Sequence, residues 1–255
     1  MLIKTLIERG SSHKLRCEDD LLVLDLEDYI IGAIFDGCSS GIDSHLSSTL
    51  LKRVLKTIIN GDGNCRFELK WHNKESLDFY IIQKLASMLY DKLHEPSFKK
   101  LISYDNYNDL LSTVIIMLVN KFNNRYTVLF CGDGVLSVDD TIVTIHDENG
   151  DTVDYLMAQN EENVINYIDN RPFYQGYFKN TISISSDGID TFKDQFGENK
   201  SKEAKDTLFM DTAFWKQDIM LTRKYNILTK VNKYLNQDDV SIIRVINENI
   251  INNER

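Results

Sequence analysis

Apolar residues in this chain fall into short runs of strand length and two long stretches of helical period. Leu21–Leu26 and Ile30–Phe35 are compact apolar runs and predict two strands joined at Glu27–Tyr29. Met1–Ile7 is apolar enough for an edge strand. From Ser44 to Ile59, Leu46, Leu50, Leu51, Val54, Leu55, Ile58 and Ile59 recur at spacings of three and four, which puts one apolar stripe on a helix. Asn60-Gly61 stops that helix, because glycine accepts the left-handed cap geometry. Glu75–His94 predicts a second helix, with Leu77, Ile81, Leu85, Met88 and Leu89 on one face and Pro96 past its end. The pattern then turns β-rich. Leu110–Val119, Tyr126–Cys131, Val135–Val138 and Thr141–Ile145 read as strands, with a hairpin turn at Asn123-Asn124. Thr181–Ser185 alternates as a strand, Asp211–Leu235 reads as a long polar helix, and Val240–Ile246 is a final strand.

Strands and helices therefore come in blocks and do not alternate. That disfavours a doubly wound parallel sheet and favours an α+β architecture, antiparallel sheets with helices outside. A length of 255 residues suits one domain, with a core to about residue 247 and a short tail. The balance of 39 acidic against 29 basic residues, net −10, argues against a nucleic-acid partner, which needs a basic face. No apolar run reaches the ~20 residues that span a bilayer, and Met1–Gly10 lacks the apolar segment and cleavage site of a leader. The expected setting is the cytoplasm, with no membrane partner. Cys17, Cys38, Cys65 and Cys131 are scattered without a C-x-x-C pair, so reduced thiols are expected and a thiolate zinc site is not.

The chemistry lies in carboxylates at strand ends. Asp36-Gly37 follows Ile30–Phe35, Asp187-Gly188 follows Thr181–Ser186, Asp238-Asp239 precedes Val240–Ile246, and Glu18-Asp19 precedes Leu21–Leu26. Strand ends far apart in sequence can meet at one edge of a layered sheet. Carboxylates that meet there repel unless a hard divalent cation neutralises them through oxygen ligands. Taken singly, an Asp-Gly pair is an ordinary turn signal. His45 and His146 could be ligands, but such an ion prefers oxygen, and Trp71 and Trp215 read as packing residues. Asp147–Asp154 reads as a solvated turn and Asn247–Arg255 as a frayed terminus.

In order and spacing these segments resemble the PP2C (PPM) family of protein phosphatases, most closely a bacterial branch. Gly10-Ser11-Ser12-His13 through Cys17-Glu18-Asp19 resembles the first family motif, and Ala33-Ile34-Phe35-Asp36-Gly37-Cys38-Ser39-Ser40-Gly41 the second. Leu111-Ser112-Thr113, Cys131-Gly132-Asp133-Gly134, Ile184-Ser185-Ser186-Asp187-Gly188-Ile189 and Asp238-Asp239-Val240-Ser241 resemble the later ones in order. The resemblance implies a four-layer αββα sandwich, two antiparallel sheets flanked by helices. It implies two Mn²⁺ or Mg²⁺ ions bridged by Asp36, with the Gly37 carbonyl, Asp187 and Asp238 as further ligands. Asp133 with Asp187 would hold a third, weaker ion. Glu18 and Asp19 would act on metal-bound water, and Lys14 would contact the substrate phosphate. The implied activity is hydrolysis of phosphoserine and phosphothreonine in proteins by a metal-bridging hydroxide, without a phosphoenzyme, in a monomer opposed by a cognate kinase.

This chain departs from the family pattern in three places. Lys14 stands where the family usually has Arg, and Lys meets phosphate as a point charge where Arg binds it bidentately; His13 and Arg16 lie close by to assist. Cys38 replaces a His that some members carry as general acid, and the acidic residue after Ser-Asp-Gly falls at Asp190, shifted by one. Lys14 and Cys38 keep open an alternative, a catalytically weak or inactive module that binds a partner or phosphorylated ligand. A hydrolase of small phosphate esters would use the same residues. Tyr155–Tyr177 corresponds to the family's flap, with Arg171-Pro172-Phe173-Tyr174 at its tip, either against a phosphopeptide or packed as a loop.

Overall fold

The computed structural model describes residues 1–38, 44–61, 75–95, 111–146 and 155–248. Trp71, Pro96, Ser39–Gly41, Asp147–Asp154 and the last residues of the tail lie outside them.

The longest strands are apolar at nearly every position, and the layering explains why. Strands β1 (Leu2–Glu8), β2 (Asp19–Asp25), β3 (Tyr29–Gly37), β4 (Ser112–Asn120), β5 (Arg125–Cys131), β6 (Gly134–Val138), β7 (Thr141–Ile145), β8 (Phe173–Tyr177), β9 (Thr181–Ser185), β10 (Phe192–Lys193), β11 (Leu235–Asn236) and β12 (Val240–Ile246) form two five-stranded sheets and a short ribbon. The first sheet runs β2-β3-β4-β5-β8, the second β1-β12-β9-β6-β7, and every recorded pairing is antiparallel. Helices α1 (His45–Gly61), α2 (Glu75–His94) and α3 (Val164–Asp169) cover the first sheet. The region around α4 (Ser201–Lys205) and α5 (Met220–Asn226) covers the second. Successive strand residues point to opposite faces. Ile31, Ala33 and Phe35 accordingly meet the helices, while Ile30 and Ile34 meet the other sheet. In β4, Val114, Ile116 and Leu118 face the helices, and Ile115, Met117 and Val119 face Ile243 and Val245 of β12. With both faces covered, alternation disappears from the sequence. The result is the expected αββα sandwich.

Several elements differ from their sequence reading. In α1, Leu51, Val54, Leu55, Ile58 and Ile59 are buried, but Leu46 is 53% exposed. Asp211–Leu235 is not one helix. It is a turn region around Trp215, then α5, a π turn at Ile227–Val231, and β11. Trp215 is buried against Met220 and Ile246, a packing residue as expected. Asn247 is not frayed: it is buried, and its side chain donates to the Lys179 carbonyl at 2.9 Å. The Asn123-Asn124 turn stands as read, with Asn124 at φ 57° and the Asn123 side chain accepting from Arg125 N at 3.0 Å.

At the end of the first sheet formed by Tyr29, Asn120 and Arg125, a buried polar network closes the helix layer onto the strands. Asp78 of α2 pairs with Arg125 Nε, and Tyr29 donates its hydroxyl to Asp78 at 3.1 Å. The acidic motifs collect at the opposite end.

Candidate metal centre

At that opposite end the chain crosses between the sheets, and register brings the motif carboxylates together. Asp19, the first residue of β2, lies directly across from Asp36 of β3, and Asp36 lies across from Thr113 of β4. Asp36-Gly37 is therefore the paired end of a strand and not a turn. Thr113 Oγ1 donates to Asp133 Oδ1 at 3.2 Å, which ties in the crossing from β5 to β6. Gly132 has φ +115° there, and a side chain on it would strike Thr113. Asp187 opens a 3₁₀ turn directly after β9 and Ser186, and Asp238-Asp239 leads into β12.

Both motif glycines are required by close approach. A Cβ on Gly37 would stand 2.6 Å from the Ser44 carbonyl oxygen and 3.1 Å from that of Glu18. One on Gly188 would overlap the Asp239 carbonyl.

The carboxylates have mutually unfavourable surroundings. Burial, opposed by hydrogen bonds led by that from Ser186, and raised further by the charge of Asp239, pushes Asp19 up to about 7. Asp36 is driven well above the usual carboxylate range by burial and then by the charges of Asp19, Asp187 and Asp238. Asp187 is raised to about 6 by burial and by Asp133, with Asp238 and Asp190 adding to the repulsion. Asp19 Oδ1 and Glu18 Oε2 are buried without a hydrogen-bond partner. Asp190 pairs with Lys205 Nζ at 2.5 Å, which ties it to α4.

A hard cation fits this set in its chemistry: the donors are oxygens, and uncompensated charge and orphaned carboxylate oxygens are already present. Among the described residues, no group of three or more His, Cys, Asp or Glu side chains forms a ready-made ion-holding cluster. A cation here would draw on water and backbone carbonyls as well as carboxylates.

Asp239, His13 and Tyr155 also build the site, and of these the sequence singled out only His13, as an aid to phosphate binding beside Lys14. Asp239 is buried and holds the Gly10–Glu18 loop. Its Oδ1 accepts from Gly10 N at 2.6 Å, and its Oδ2 accepts from Glu18 N and lies 2.8 Å from His13 Nδ1. The second Asp of the Asp-Asp pair was its only signal. His13 Nε2 lies 3.6 Å from Asp238 Oδ1 and 3.8 Å from Glu18 Oε2. Burial opposes its charged form, but the bond and charge of Asp239, with Glu18 and Asp238, hold its pKa above the ordinary value. Tyr155 hydrogen-bonds to Cys38 and lies in the field of Asp36 and Asp133. No local pattern marked it. Lys14 is on the exposed part of the loop, and its carbonyl accepts from Arg9 Nη1 at 3.1 Å. The Arg171–Tyr174 tip packs on the fold. Phe173 and Tyr174 lie in β8, with ring centroids 4.2 Å from Phe79 and 6.0 Å from Phe130.

No protein-family model matches the sequence, and no curated protein matches it. Solved structures do match. A bacterial serine phosphatase superposes with a TM-score of 0.61 at 12% identity, over 96% of this chain and 97% of that one. The SpoIIE PP2C phosphatase domain from Bacillus subtilis, with a fragment of its regulatory domain, gives 0.57 at 13% identity, over 96% of this chain. The fold is that of the PP2C phosphatases. This chain spans 63% of the SpoIIE chain, less than two thirds of its length. RsbX, solved in complex with magnesium, gives 0.51 at 14% identity over 95% of this chain and 94% of its own. At such identities the likeness is one of PP2C fold. No described helix is long and apolar enough to cross a membrane.

Proposed function

We propose that this chain is a divalent-cation-dependent phosphatase of phosphoserine and phosphothreonine in proteins, with residues 1–255 as one catalytic domain. The observation that carries the reading is the convergence of Asp19, Asp36 and Asp187, all raised in pKa, at one end of a PP2C-fold sandwich. Raised, mutually repelling carboxylates under burial are a costly arrangement that a bound cation relieves. Asp36, the Gly37 carbonyl, Asp187 and Asp238 would hold two Mn²⁺ or Mg²⁺ ions, and Asp133 with Asp187 a third. When bound, the ions supply positive charge for the phosphoryl oxygens and a water acidic enough to attack phosphorus at neutral pH.

The chain's own groups do the rest. Asp19, fixed by the Ser186 hydroxyl at 2.7 Å, leaves its buried Oδ1 to accept a hydrogen bond from water. Glu18 does the same with Oε2 from the adjoining position. Asp239 holds the loop at Gly10 and Glu18, which would set Glu18 beside the centre. Lys14 places a positive charge at its mouth to attract the phosphoryl group. With Cys38 bonded to Tyr155 where some relatives have an imidazole, water protonates the leaving oxygen.

Hydrolysis of p-nitrophenyl phosphate and of phosphoserine peptides, with Mn²⁺, Mg²⁺ or EDTA, tests the reading. Cation-dependent turnover that disappears in Asp187→Asn is expected. Absence of turnover with either cation would refute it.

A further inference from the structure

We propose that the cleft between the Gly10–Glu18 loop and the start of α1 binds an acidic segment of the substrate, next to its phosphorylated residue. The inference rests on the phosphatase reading and adds a substrate class to it. The cleft, about 500 Å³, is lined by His13, Lys14, Leu15, Arg16, Glu18 and His45, with Ser12. Among the described residues of this wall, Lys14 and Arg16 are cations and Glu18 is the acid, while His13 is paired with Asp239, in a chain of net charge −10. That acid, Glu18, is shared with the carboxylate centre, so the cleft adjoins the place where phosphate would be held.

The cleft is built before anything binds. Ser11 N and Ser12 N donate to the carbonyls of Asn236 and Gln237 at 3.0 and 2.9 Å. Arg9 Nη1, from just before the loop, donates to the Lys14 carbonyl at 3.1 Å. Arg16 Nη1 bonds across the cleft to Nε2 of His45, the first residue of α1. This exposed bond ties the Arg16 guanidinium to the first turn of α1. Leu15, 88% exposed at the loop tip, offers one apolar contact beside the two cations.

A peptide residue advances roughly 3.3 Å along an extended chain. A peptide with its phosphoryl group between Glu18 and Lys14 would therefore lay neighbouring residues over Leu15 and Arg16. Asp or Glu there would pair with Arg16, and Lys or Arg would be repelled. Selection among phosphoproteins follows from the flank and not from the phosphoryl group, which all of them share.

The test uses labelled peptides bearing a phosphonate analogue of phosphoserine, whose C–P bond resists hydrolysis, flanked by Asp or by Lys. Binding is followed by fluorescence anisotropy with Mn²⁺ present. The acidic peptide is expected to bind about fivefold more tightly, the size of a few exposed ion pairs, with the gap closing at high salt. Arg16→Glu should reverse or erase the order, and because the ratio of two affinities is read, a general loss of binding cancels. Equal affinities in the wild type, no binding of either peptide, or a ratio unmoved by Arg16→Glu would overturn the proposal. Turnover of p-nitrophenyl phosphate is measured alongside. Its absence would refute the phosphatase reading alone, since the binding ratio is decided without hydrolysis.

Discussion

Ser186 donates its hydroxyl to Asp19 Oδ2 at 2.7 Å, and this bond crosses from the end of one sheet to the start of a strand in the other. Ser186 Oγ in turn accepts from Ser241 N at 3.0 Å, so one hydroxyl joins β2, β9 and β12 at the candidate centre. Groups that orient an ion-binding shell commonly matter 10- to 100-fold to metal affinity or activity. Ser186→Ala is therefore expected to lower apparent Mn²⁺ affinity by about tenfold, read from turnover against Mn²⁺ concentration. An unchanged titration would remove Ser186 from the site.

The clustered carboxylates give stability a defined pH dependence. Their folded pKa values lie above the ordinary aspartate value of 3.8, at about 7 for Asp19 and about 6 for Asp187. Between pH 4 and 7 the cation-free folded state binds more protons than the unfolded chain, so its stability falls as pH rises. Melting in EDTA should show the midpoint dropping across that window. Mn²⁺ should restore it at pH 7.5 and do little at pH 5. Asp187→Asn, which removes one repelling charge, should raise the EDTA midpoint and shrink the Mn²⁺ gain.

Two glycines should behave in opposite ways. A methyl group on Gly188 would overlap the Asp239 carbonyl, while one on Gly61 would meet nothing within 4 Å among the described residues. Gly188→Ala is expected to cost more than about 3 kcal/mol, because backbone on both sides must move. Gly61→Ala, in the last turn of α1, should stabilise by up to about 1 kcal/mol. Urea unfolding of the two variants compares them directly.

Asp78 and Arg125, each 2% exposed, form a buried pair at the end of the first sheet far from Asp36. Asp78→Ala leaves a guanidinium buried without its carboxylate and should cost about 3–5 kcal/mol. Adding Arg125→Met should recover part of that loss. Phosphatase activity per folded molecule should not change in either variant, since Tyr29, Asn120 and Arg125 lie at the opposite strand ends from Asp36, Thr113 and Cys131.

Much of this was legible in the sequence. The runs Ile30–Phe35 and Tyr126–Cys131 and the stripe from Leu50 to Ile59 specify strands and a helix by local periodicity, which needs no partner to be read. Asp36, Asp187 and Asp238 were candidates on their places at strand ends and on the resemblance of the ordered motifs to the PP2C family. Only the tertiary structure decided what local pattern does not carry. Asp19 faces Asp36 because register aligned them, and Asp239 rather than Asp238 became the buried anchor of the Gly10–Glu18 loop. Tyr155 reached Cys38 across more than a hundred residues. The segment Asp211–Leu235, helical in composition, broke into turns, a short helix and β11, where packing against the second sheet outweighed propensity. Propensity acts on neighbours in the chain. Register, burial and charge repulsion act between residues that only folding brings together.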